Sequence, residues 1–252
     1  MACEELSPVA LGGTAVGTGL NTHPAFAGRV FEVVSREVGI PIRETDNHFQ
    51  AQNNLDAVLA CSGAVRGTAV ALHKIANDIS WLGSGPRAGL GELALPEVQP
   101  GSSIMPGKVN PVIPEALIQV CAQVVGNDAT VALADLRSFF ELNTMMPVAA
   151  HNLLQSIELL TAATRNFAER CVDGLRATDR GPELVEGGLA IATGLAPLIG
   201  YDAAAAVAKE AARSGRTIRE VAREQTDLSE EALQRALDSA AMTEPGIPEE
   251  QR

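Results

Sequence analysis

The residues best suited to chemistry lie together in one stretch, Gly101-Ser102-Ser103-Ile104-Met105-Pro106-Gly107-Lys108-Val109-Asn110-Pro111. Two adjacent serines present hydroxyls, Lys108 supplies a cation and Asn110 a carboxamide. Gly101 and Gly107 permit the backbone angles and mobility that a closing loop needs. Asn110 has the form of a helix N-cap, with Pro111 at the first helical position. Free N–H groups and the dipole at such a helix start favour an anion, so the stretch reads as a mobile lid with a carboxylate receptor at its hinge. By composition alone a Gly/Ser/Pro loop before a helix is ordinarily just a loop; the chemistry rests on the particular string. Glu115, five residues after Asn110, falls on the first turns of that helix, where a lone carboxylate is ordinarily a favourable N-terminal charge.

Positioning these groups falls to long helices. The chain has 252 residues, 46% apolar but only 3% aromatic, so Ala, Leu, Val and Ile must fill the core. That balance favours packed helices over sheets. Leu55, Val58, Leu59, Val65, Ala69, Leu72, Ile75, Ile79 and Leu82 recur at three- and four-residue steps or their sums, an apolar helix face. Starting near Phe49, the helix would run roughly 30 residues, or about 45 Å. Gly83-Ser84-Gly85-Pro86 stops it. A proline-punctuated loop follows at 87–110, then helices from Asn110 to about Leu136 and over about 143–172. A shorter helix is expected at 24–38, after a glycine-rich stretch at 11–21 that reads as a close-approach loop. Three helices of such length cannot hide an apolar face alone, so bundling, with subunits sharing the bundle, is the natural solution.

The fold class expected is therefore all-α, with a central bundle domain over 1–180 and a small helical domain over 181–252. In the latter, Asp202 is placed to cap a helix over 203–214, and Thr217 with Glu220, like Asp227 with Glu230, has the form of a capping box. The tail from Pro245 to Arg252 is expected to fray.

The net charge of −12 and the lack of clustered Lys and Arg exclude a nucleic-acid module. No apolar run of membrane-spanning length and no basic amphipathic face are evident. Cys3, Cys61, Cys121 and Cys171 fit no metal spacing, and no secretory or targeting segment is seen. They read as reduced, mostly buried thiols of a cytoplasmic protein, so no cofactor or metal is expected.

The loop string resembles the signature Gly-Ser-Ser-x-Met-Pro-x-Lys-x-Asn-Pro of the fumarase/aspartase superfamily. The likeness extends from about Leu11 to about Ile247: Gly12-Gly13-Thr14-Ala15 with Asn21-Thr22-His23, Lys74-Ile75-Ala76-Asn77-Asp78, Phe140-Glu141-Leu142-Asn143, Asn152 to Ser156, and Gly200-Tyr201-Asp202 are all similar to family segments. Gly107 before Lys108, and Asn21-Thr22-His23-Pro24, lean to class II fumarases rather than aspartases. The resemblance implies a bundle of the superfamily's type and the reversible hydration of fumarate to malate. It implies that Ser102 is the general base, its alkoxide stabilised by loop N–H groups and nearby positive charge when the loop closes, that Ser103, Lys108 and Asn110 hold the dicarboxylate, and that Val109 contributes backbone contacts. Glu115 would partner a catalytic histidine on another segment. None of His23, His48, His73 and His151 matches that histidine; most read as surface or structural. Thr14, Thr18 and Asn21 could line a site or serve glycine-rich packing equally well, and Arg87 could supply positive field or be solvated.

Family members are commonly longer by roughly a domain, and their sites are assembled from three subunits of a homotetramer. The remainder carries a Ser/Thr-rich segment and the histidine segment, so this chain alone is expected to be inactive. Met1 reads as an internal residue or a late start. Ser138-Phe139 departs from a usual Gly-Asn pair. The rivals are aspartate ammonia-lyase and a non-catalytic assembly fragment. Localisation is expected to be cytoplasmic, or mitochondrial in a eukaryote.

Overall fold

The structure, a computed structural model, describes residues 2–85, 87–137 and 139–246, with Ala2 and Cys3 described in backbone only. Pro86 of the helix stop, Ser138 of the departing pair, the thiol of Cys3 and tail residues 247–252 lie outside the described residues. The fold is all-α, and the chain divides into two units, 1–81 with 95–175 and 82–94 with 176–252.

The first unit opens with α1 (Ala2–Glu5) and a short parallel pair, β1 (Pro8–Val9) with β2 (Arg43–Glu44). Between them runs α2 (Phe26–Val38), closed by Gly39 in the left-handed region. The single helix expected from about Phe49 is two, α3 (His48–Asn53) and α4 (Asp56–Leu82). The break falls at Asn54, whose backbone is extended. Beside it the Leu55 N–H donates 2.6 Å to Asp135 Oδ1, a partner 80 residues away that local periodicity cannot reveal.

Two further long helices complete this unit, α5 (Val112–Leu136) and α6 (Met146–Arg170). Their inward positions follow a three–four alternation: Leu117, Cys121, Val124, Asp128 and Val131 on α5; Ala149, Leu153, Ser156 and Leu160 on α6. On α4 the buried positions are small, Cys61, Ser62, Ala69 and Ala76, which lets the helices pack closely. Composition alone would let α5 cross a membrane, yet Asn127 and Asp128 are buried at its middle and hydrogen-bonded to its neighbours. Ser62 Oγ donates to Asp128 Oδ1 (2.7 Å), Arg66 to Asp128 Oδ2 (2.8 Å), and Asn127 Nδ2 to Gln155 Oε1 and Ser156 Oγ (both 3.0 Å). Such satisfied polar pairs fix the register at which α4, α5 and α6 meet. α6 starts three residues later than expected, with Pro147 in its first turn; Asn143, outside the helix, donates its side-chain amide to Gln52 O. Large apolar side chains remain exposed on all three helices, among them Val70, Leu136 and Leu154.

The second unit contains an antiparallel pair, β3 (Leu93–Ala94) with β4 (Arg176–Ala177). That pairing draws residues 82–94 into this unit, so the division is not one cut near residue 180. After it come α7 (Arg180–Gly187), a 3-10 turn (Ala190–Leu195), α8 (Ala196–Ile199), α9 (Tyr201–Ser214), α10 (Ile218–Gln225) and α11 (Glu230–Ala236). Leu195, Val207, Ile218, Val221, Leu233 and Leu237 form a closed core. The capping box at Thr217 is present in both directions. The other two cap assignments need correction. Gly200, not Asp202, occupies the cap of α9, with Asp202 inside its first turn. Ser229, not Asp227, caps α11, accepting from Ala232 N; the Glu230 carboxylate turns to Arg223 instead.

Candidate active site

Residues 101–110 form a small loop pinned at its base. The Gly101 N–H donates to Lys108 O at 2.9 Å, and Asn110 Nδ2 donates to Gly101 O at 2.8 Å. A Cβ at position 101 would lie 2.4 Å from Lys108 O, so only glycine allows the two sides to approach. Gly107, at φ +76, turns the chain back toward the base.

Inside this loop Ser102 Oγ accepts two backbone N–H groups, from Ile104 at 3.2 Å and Met105 at 3.0 Å. Donors aimed at one oxygen favour the form that carries negative charge. Ser102 is half-buried, whereas Ser103, Ile104, Met105, Lys108 and Val109 are exposed. A hydroxyl with its own amide cradle therefore belongs to the same ten-residue loop as the exposed Lys108. Loop N–H groups were expected on this oxygen from the family resemblance; the residue types did not say which, because the donors are backbone atoms of Ile104 and Met105. The signal was a serine followed by a turn, the pattern in which a hydroxyl captures nearby amides.

Asn110 does not cap α5. Pro111 stands at the cap position without a side-chain cap bond, and the Asn110 amide reaches back to Gly101 instead. The helix start is also poorer in free N–H groups than expected. Pro111 and Pro114 have none, and the Val112 N–H donates to Asn110 O at 2.9 Å. Of the first three helical positions only Ile113 has an amide left to offer an anion, so positive character here rests mainly on Lys108 and the dipole. Glu115 is exposed on the first turn of α5, its N–H opening the helical ladder to Pro111 O. Among the described residues neither Lys108 nor Glu115 pairs with an opposite charge.

Other residues singled out by sequence fall elsewhere. Thr14 and Asn21 are exposed at positive φ (56 and 64), and the Thr14 carbonyl accepts from Gln52 Nε2 at 2.7 Å. Thr18 Oγ1 accepts from Leu20 N. His23 Nδ1 accepts from Ala25 N at the start of α2, His48 meets Glu44 at 3.2 Å, and His73 and His151 are exposed. Arg87 is exposed and belongs to the second unit. Cys61, Cys121 and Cys171 are buried; burial pushes the Cys121 and Cys171 thiols above their usual range, which keeps them protonated and unreactive. No group of three or more His, Cys, Asp or Glu among the described residues is arranged to hold a metal.

Two family models match the chain, one described as Lyase over residues 2–126 and one as Fumarase C C-terminus over residues 191–244. A fumarate hydratase class II from Methylorubrum extorquens is 49% identical over 238 residues, covering 94% of this chain and 50% of that protein. The mitochondrial fumarate hydratase of Saccharomyces cerevisiae is 51% identical over 226 residues, covering 89% of this chain and 46% of that protein. Among solved structures, a class II fumarase from Schistosoma mansoni superposes with a TM-score of 0.90 at 36% identity, covering 96% of this chain and 54% of that one. Spanning about half the length of the curated relatives it matches, the chain belongs to the class II fumarases of the fumarase/aspartase superfamily.

Proposed function

We propose that this chain supplies the serine-loop part of a fumarate hydratase site, which interconverts fumarate and (S)-malate. The observation that carries the reading is the pair of amides on Ser102 Oγ, which lets a hydroxyl act as an anion. Ser102 takes a proton from the carbon beside a malate carboxylate. The C–H electron pair moves into that carboxylate, giving an aci-carboxylate with a second negative charge. Lys108 and Asn110 hold it as its charge grows, which lowers the barrier because the contact is stronger in the transition state than in the ground state. Ser103 binds the substrate beside the base, and Val109 contributes main-chain contacts. The β-hydroxyl then leaves as water, taking its proton from an acid outside this chain. Glu115 orients the histidine of another segment and tunes its charge.

On this reading the exposure of Ser103, Lys108 and Val109 is the mark of an unfinished site. The remaining segments, from other parts of the full-length protein and other subunits of a homotetramer, would cover them. The exposed apolar side chains of α4, α5 and α6 suit such an assembly. The compartment would be the cytoplasm, or the mitochondrion of a eukaryote, since both a bacterial relative and one named mitochondrial match.

The test is turnover followed through the ultraviolet absorbance of the fumarate double bond. The purified chain alone is expected to show little or none. Co-assembly with the complementary part of a class II fumarase should restore it, with malate preferred to aspartate. Turnover by the chain alone near full-length rates, or a completed assembly that deaminates aspartate and ignores malate, would overturn the reading.

A further inference from the structure

Asn110 makes a contact that a purely substrate-binding carboxamide does not need. Its Nδ2 donates to the carbonyl of Gly101, nine residues earlier, at 2.8 Å, while the Gly101 N–H donates to Lys108 O at 2.9 Å. Both polar groups of one peptide-flanked glycine are thereby tied to the far side of the loop, one by backbone and one by a side chain. Ser102 is the next residue, and its amide cradle consists of Ile104 and Met105, inside the closed span. The direction taken by Ser102 Oγ relative to those amides depends on the peptide plane fixed at Gly101. Asn110 itself is half-buried and anchored immediately before α5, whereas the loop tip is open, Ile104 being 91% exposed. The residue just before α5 thus ties the loop base by a side chain that reinforces the Gly101–Lys108 backbone bond.

We propose that Asn110 is a positioning residue, a latch that holds the base of the loop shut and so keeps the cradle of Ser102 assembled. A carboxamide has two N–H groups and a carbonyl oxygen. One N–H serves Gly101, and the second N–H stays available to a carboxylate, so latching and substrate binding are compatible in one side chain. Loss of the amide donor frees the Gly101 carbonyl, loosens the Gly101–Lys108 closure and scatters the amides of Ile104 and Met105. That the cradle serves proton abstraction rests on the function proposed above; the latch does not.

Amide hydrogen exchange of the 252-residue chain tests this without turnover. Asn110→Ala and, at neutral pH, Asn110→Asp are expected to speed exchange at Gly101, Ile104 and Met105 about three- to tenfold, as loss of one net hydrogen bond implies. Amides of α5 from Leu117 to Val131 should be unchanged, and Gln119→Ala, which removes an amide that donates to Glu115 O, should leave the loop as it is. The decisive arm is acidification. Protonating the carboxyl introduced by Asn110→Asp, below about pH 4, restores an O–H donor to Gly101 O. After correction for intrinsic rates, loop protection should return in that variant and not in Asn110→Ala. Wild-type exchange in both variants, or no acid rescue, overturns the latch. If a variant also loosens α5, the rescue within Asn110→Asp still decides: recovery supports the latch and its absence overturns it. Absent malate turnover in a completed assembly would count against the function while leaving these exchange rates untouched.

Discussion

The serine loop and the second unit are built on opposite terms. The second unit closes on itself: Leu195, Ile218 and Val221 are fully buried, Thr217 and Ser229 cap their helices, and Gly215 ends α9 at φ 70. Its surface is laced by arginine–carboxylate pairs, Arg216 with Glu224, Arg219 with Glu186 and Arg223 with Glu230. The loop at 101–110 has no apolar core of its own. Three contacts among Gly101, Met105, Lys108 and Asn110 close it; Ser102 and Asn110 are half-buried, and Ser103 and Lys108 are exposed. The second unit derives order from burial; the loop derives it from a few directional bonds, which leaves it free to move. The difference separates residues that serve stability from residues proposed to serve chemistry, and substitutions can test the separation.

The largest effect on stability belongs to the closed core. Leu195→Ala empties a fully buried position and is expected to cost about 2–5 kcal/mol, read from urea unfolding by circular dichroism. Leu136→Ala, at a side chain 79% exposed at the end of α5, should change the stability of the isolated chain by about 0.5 kcal/mol or less. Equal losses would erase the contrast between a closed unit and helices awaiting a partner. Next in size, Thr217→Ala removes one side of the capping box and should cost about 1 kcal/mol.

A smaller effect comes from pH. The hydrogen bond from Arg219 holds the Glu186 carboxyl below its usual range, with burial opposing and the charge of Arg219 assisting. A carboxyl depressed in the folded state stabilises the fold at pH above its unfolded value, and that contribution disappears as pH falls through the folded value. Glu186 is 44% exposed, so screening limits the gain to about 1 kcal/mol or less. The unfolding midpoint of the wild type should fall on acidification below the ordinary glutamate range, and Arg219→Ala should flatten that part of the curve.

Much of this was legible in the residues, and the failures share a cause. The long helices, the stop after Leu82 and the capping box at Thr217 follow from local pattern, and the structure keeps them. The break at Asn54 was hidden because it answers to Asp135. Asn143 was expected inside α6 and is held outside by Gln52. Asn110 was read as a cap because a carboxamide before a proline suits that position, yet Pro111 stands at the cap and the Asn110 side chain points back to the Gly101 carbonyl. In each case a polar side chain found a distant partner, information that spacing along the chain does not contain. The loop string was legible as residue types, and the family resemblance implied loop N–H groups around Ser102; which residues supply them was not legible, since the donors are main-chain atoms.

The central claim is that Ser102 Oγ works as a base because Ile104 and Met105 stabilise its anion. The direct test is Ser102→Ala in an assembly completed with the missing segments, with malate dehydration measured alongside unfolding. The account predicts a fall in kcat of about 10²- to 10⁴-fold, with KM and the unfolding midpoint little changed. Undiminished dehydration in that variant would contradict it.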